Sequence, residues 1–112
     1  MADALEIHVT MPDAEQAQTL ARALVDEELA ACVNIVPGVR SIYRFEDKVH
    51  EEDEVLCLIK THPALFDRLR DRILELHSYD VPEILAFTVH DSSKAYIDWL
   101  HGSVAFTERG SG

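Results

Sequence analysis

Basic side chains are scarce in this sequence. Ten Lys and Arg stand against twenty-one Asp and Glu, a formal charge of −11. A field of that sign repels phosphate backbones and anionic lipid, so neither nucleic acid nor a membrane is expected as a partner, while cations are weakly favoured. Cysteine is nearly absent as well. Cys32 and Cys57 form no Cys-x-x-Cys pair, and each sits in an apolar run where a free thiol behaves as a small hydrophobe. No apolar stretch nears the ~20 residues a bilayer span needs. Residues 1–6 are acidic and lack the basic start of a signal peptide. The expected home is therefore the reducing cytoplasm. Phosphate-binding loops, dinucleotide fingerprints, zinc-protease helices and nucleophile elbows are all missing. The sequence names no reaction, no catalytic residue and no required cofactor, and a non-enzymatic role is expected.

What is present fits one domain. A chain of 112 residues with 47% hydrophobic content can bury a core without disulfides or metal. The whole chain, 1–112, is read as a single domain with its core at about 5–104 and a flexible tail at 105–112.

Residues 5–10 alternate apolar and polar, the period of a half-buried strand. Asp13 and Gln16 have capping-box spacing, each side chain satisfying an amide at a helix start. Ala17, Leu20, Ala21, Leu24, Val25 and Leu29 then follow at helical spacing. Val33, Ile35, Val39, Ile42, Tyr43 and Phe45 restore β texture, with Pro37-Gly38 bending one long strand. The chain turns at Glu46-Asp47-Lys48 and runs back through residues 49–61. Pro63 suits the first turn of a second helix, whose stripe is Leu65, Leu69, Ile73 and Leu76. Residues 84–89 read as a short central strand. Ser92 or Ser93 caps a last helix, in which Tyr96 and Trp99 are expected to pack into the core. The order βαββαβ plus a terminal helix predicts an α+β, ferredoxin-like antiparallel sheet with helices on one face.

The central hairpin is too long for that sheet. Its outer half would leave Tyr43 and Phe45 uncovered, and an isolated ribbon is marginal in water. Pairing with further copies of the chain would cover it, so a symmetric oligomer is expected.

Ala30-Ala31-Cys32-Val33-Asn34-Ile35-Val36-Pro37-Gly38-Val39-Arg40-Ser41-Ile42-Tyr43-Arg44-Phe45-Glu46 strongly resembles the signature of the CutA family of divalent-cation tolerance proteins. Ile59-Lys60-Thr61, His77-Ser78-Tyr79-Asp80-Val81-Pro82-Glu83-Ile84 and Ala95-Tyr96-Ile97-Asp98-Trp99-Leu100 extend the match in order. The resemblance implies a cytosolic homotrimer of PII-like architecture, with a role in tolerance of copper and other divalent ions. It does not carry over residue for residue. One copper site described in the family uses a first-strand cysteine and two adjacent histidines, and here those positions hold Val9 and Leu76-His77. Phe45 stands where tryptophan is usual and Asp47 where glycine is usual.

Candidate residues follow, each with a plainer alternative. His77, Cys32 and Glu83 are the candidate metal ligands, for copper or another divalent cation. The alternatives are an interface histidine and a buried, inert thiol. Arg40, Tyr43, Arg44, Lys60, Tyr79 and Glu83 could line an intersubunit pocket for a small anion, as a PII-like signalling module would need. The same residues could instead form interfacial salt bridges, with Glu83 on Lys60. Glu51-Glu52-Asp53-Glu54 is read as a solvated charge run, because strand alternation sends neighbours to opposite faces. A third possibility, an unrecognised enzyme using Cys32, Lys60 or Glu83, lacks a visible nucleophile–base pair.

Overall fold

The computed structural model describes residues 3–105. Its elements are β1 (Leu5–Met11), α1 (Ala14–Asp26), β2 (Cys32–Phe45), β3 (Lys48–Thr61), α2 (Phe66–Leu76), β4 (Leu85–Thr88) and α3 (Lys94–Gly102). The strands form one antiparallel sheet in the order β2-β3-β1-β4. Together these make the ferredoxin-like α+β arrangement that the element order predicts.

Alternation on the strands decides which side faces the helices. Ile7, Val9 and Met11 of β1 and Val55, Cys57 and Ile59 of β3 are buried against Ala17, Leu20 and Leu24 of α1 and Leu69 and Ile73 of α2. Glu6, His8, Leu56, Leu58 and Lys60 occupy the opposite face. A smaller cluster of Ala4, Ala31, Leu65, Leu100 and Val104 fastens α3 to one edge.

Helix starts follow their caps. Asp13 accepts the Gln16 amide at 2.8 Å, and Ser93 accepts the Tyr96 amide. Only half of the expected capping box forms. The Gln16 side-chain amide turns to the Asp13 carboxylate at 3.2 Å, and its carbonyl accepts from Ser78 in the loop after α2. A carboxylate is the stronger acceptor, and the loop takes the remaining group. Pro63 lies in a 3₁₀ turn (Pro63–Leu65) just ahead of α2 rather than in α2 itself.

Other expectations are corrected. β4 has four residues, lies at the sheet edge and is exposed throughout, so it is not a central strand. Tyr96 (41% exposed) and Trp99 (48%) lie against each other, tilted by 45° with ring centroids 5.4 Å apart, outside the core. Only Leu100 of α3 reaches the interior, because the short helix sits at an edge with a single face covered. Ala105 does not begin a tail, since its amide donates to the Glu28 carbonyl at 2.8 Å. The rest of the expected tail, 106–112, lies outside the described residues.

The hairpin expectation holds. β2 and β3 each run 14 residues, with a bulge between Val36 and Val39 where Gly38 adopts φ +80°. β1 stops at Met11, opposite Val55. From Val39↔Glu54 to Phe45↔Lys48, seven β2–β3 pairs therefore continue with no third strand among the described residues. The molecule measures 49 × 27 × 24 Å, with a radius of gyration of 14.9 Å. A compact chain of this length would give about 13 Å.

Candidate functional site: a cleft between the hairpin arm and the loop after α2

The arm is held by its ladder and by paired side chains on both faces. On one face Arg40 bridges Glu51 at 3.0 Å and Asp53 at 2.9 Å. On the other, the Tyr43 hydroxyl donates to Glu52 at 2.6 Å and its ring stacks on His50. The Glu52 carboxylate holds the Tyr43 hydroxyl above its ordinary pKa, mainly through that hydrogen bond. The acidic run thus alternates as expected, with Glu51 and Asp53 on one side and Glu52 and Glu54 on the other. Glu54 departs from the expectation of a solvated run: it is buried, and Tyr79 donates to it at 2.8 Å.

Tyr79 is delivered by residues 77–84, a loop anchored through His77. The His77 Nε2–H donates to the Thr10 carbonyl at 2.8 Å, and Nδ1 accepts the Tyr79 amide at 3.1 Å. Both nitrogens are committed and the ring is buried. Burial and the Glu54 bond push the Tyr79 phenol well above its usual pKa, so its hydroxyl remains a donor.

Arm and loop enclose an open cleft of about 760 Å³. Its wall includes Tyr43, Phe45, Glu54, Tyr79, Asp80 and Glu83. Of the six predicted pocket residues, Tyr43, Tyr79 and Glu83 are brought together here. The three basic ones are not. Arg40 is consumed by its two carboxylates, and Lys60 donates to Asn34 rather than to Glu83. Arg44 is exposed and makes no ion pair with a described residue. No described Lys or Arg lines the cleft, so among the described residues it does not suit an anion.

The predicted metal ligands do not converge either. His77 hangs from Thr10, whereas Cys32 pairs through Lys60 with the level of Glu6, four ladder positions away. At the usual strand rise that is about 13 Å. A metal could reach His77 only by breaking one of its two hydrogen bonds. Cys32 is half-buried, with Asn34 3.9 Å from its sulfur. Cys57 is fully buried, and desolvation raises its thiol pKa to about 11. Among the described residues no group of three or more His, Cys, Asp or Glu is placed to hold a metal ion.

Sequence reasoning missed Glu54 and the role of Phe45 in the wall. The signal for Glu54 was its parity with Leu56 and Leu58, which puts all three on one face of β3.

These features define a small ferredoxin-like protein with a projecting arm and an acidic, aromatic cleft. The profile of the CutA1 divalent ion tolerance protein family matches residues 5–103, and the chain belongs to that family. It is 50% identical over 92 residues to the divalent-cation tolerance protein CutA of Thermus thermophilus, covering 82% of this chain and 89% of that protein. The solved structure of the T. thermophilus divalent cation tolerance protein superposes with a TM-score of 0.89 at 45% identity, covering 91% of this chain and 99% of the other. A chloroplastic CutA protein of Arabidopsis thaliana is 43% identical over 97 residues, 87% of this chain, although the chain spans only 53% of that protein's length. The family description concerns ion tolerance and names no reaction.

Proposed function

We propose that this chain is a non-catalytic, cytoplasmic homotrimer that supports tolerance of divalent metal ions, copper among them, by weak binding. The observation that carries the assembly is the arm. Ile42 is 66% exposed and Val49 64% on one face of the arm, with Tyr43 and Phe45 exposed on the other, on a ribbon that the described sheet leaves uncovered. An apolar surface of this kind marks an interaction site. Family membership supports the metal role. Since both His77 nitrogens are engaged and no three ligands converge among the described residues, the metal ligands are on this reading drawn from more than one copy, with Cys32 and Glu83 as contributors. Two free cysteines support a reducing compartment.

Light scattering is expected to give three times the 12.6 kDa chain mass. Calorimetric titration with Cu(II) and Zn(II) is expected to show weak binding that survives His77→Ala and falls in Cys32→Ser. A monomeric mass with no heat from either metal would overturn the reading.

A further inference from the structure

The cleft wall combines three carboxylates, Glu54, Asp80 and Glu83, with the rings of Tyr43, Phe45 and Tyr79. Glu54 is the key group. It is only 7% exposed, and the Tyr79 hydroxyl is its one side-chain donor among the described residues. No described Lys, Arg or His forms an ion pair with it. A carboxylate withdrawn from water with so little compensation favours a cation beside it.

The form of that cation follows from the wall. A bare metal ion would need converging ligands that the described residues do not supply. Aromatic faces beside a carboxylate suit a planar organic cation instead. A guanidinium lies flat on aromatic rings, forks onto carboxylate oxygens and sheds water more readily than an ammonium. The cavity volume falls in the range of small-molecule sites. We propose that this cleft is a receptor for a guanidinium group, held by Glu54 and Glu83 against Tyr43, Phe45 and Tyr79.

Two sources could present that group. One is a free small molecule. The other is Arg44 of a second copy of the chain, which is exposed, without an ion pair to described residues, and carried on the face of the arm opposite Tyr43 and Phe45. The second source rests on the trimeric reading above; the first does not.

Methylguanidinium, with uncharged methylurea as control, is titrated into isotopically labelled protein while the amide resonances of residues 78–83 are followed. The wild type, Arg44→Ala, Glu54→Gln and Glu83→Gln are compared. Saturable shifts in the wild type, absent with methylurea and at least about tenfold weaker in Glu54→Gln or Glu83→Gln, support a site open to free ligand. Silence in the wild type with such shifts in Arg44→Ala supports occupation by Arg44 of another copy. Glu83→Gln keeps the test valid if Glu54→Gln fails to fold. The proposal is overturned if neither wild type nor Arg44→Ala responds, if methylurea gives the same shifts, or if both Gln variants bind unchanged. A monomeric mass together with methylguanidinium binding would sink the trimer and leave the receptor standing.

Discussion

The two halves of the central hairpin belong to one ladder, offset by the bulge between Val36 and Val39, but live in different environments. In the body, Cys57 and Ile59 of β3 are fully buried between β1, β2 and two helices. In the arm, Ile42 and Val49 lie on strands of equally good β texture and remain mostly exposed. In the body β3 is hydrogen-bonded on both sides, to β1 and β2, whereas in the arm it pairs with β2 alone. The halves therefore differ in edge pairing as well as in cover. Backbone pairing alone stabilises a ribbon only marginally, and apolar burial is what makes a sheet firm. The described chain therefore leaves the arm without the cover that the body supplies for itself.

Substitutions that act on one half and spare the other sharpen this contrast. The largest effect belongs to the body. Ile73→Ala removes a fully buried side chain between α2 and the sheet, and urea denaturation is expected to show a loss of about 2–5 kcal/mol. Ile42→Ala in the arm is expected to leave folding within about 0.5 kcal/mol when assembly is prevented by dilution.

The joint between the halves comes next. His77→Ala strands the Thr10 carbonyl and frees the Tyr79 amide. It is expected to cost about 2 kcal/mol in the same measurement and to loosen the cleft wall. Metal binding should not change with it.

A pH experiment probes the body alone. Burial raises the Cys57 thiol from its ordinary 9.0 to about 11, so the fold favours the neutral thiol. The linked stability is intact below pH 9, where the unfolded thiol is also protonated, and is lost as pH rises from there through about 11. Between those limits the wild type is expected to lose on the order of 1 kcal/mol more than Cys57→Val.

A small gain is expected at the arm's tip. Glu46 and Asp47 both adopt left-handed backbone, φ 51° and 64°, as a two-residue hairpin turn of the primed type requires. Asp47→Gly relieves one of these, and a thermal melt is expected to show a gain of about 0.5–1 kcal/mol.

Much of the fold was legible because the patterns are strong. Residues 5–10 alternate cleanly, α1 has its stripe and cap, and Pro37-Gly38 sits where the bulge forms. What the sequence hid were matters of cover. Tyr96 and Trp99 have the character of core residues, yet α3 docks through Leu100 and leaves them outside. Periodicity shows that a face is apolar; it does not show whether this chain or another surface covers it. The apolar β4 reads as a central strand for the same reason. The site was less legible still, because side-chain partners depend on register and loop path. Arg40 finds Glu51 and Asp53 across the ladder, and His77 is buried through Thr10, 67 residues away. Glu54 looked like one more member of a solvated run until the loop placed Tyr79 over it.

The central claim, that sister chains cover the arm, is tested most directly by amide hydrogen exchange at micromolar concentration. The amides of residues 40–54 are expected to be protected nearly as well as those of residues 55–61, with Ile42→Asp/Val49→Asp losing protection in the arm alone. Fast exchange throughout the wild-type arm, beside a fully protected body, would contradict the account.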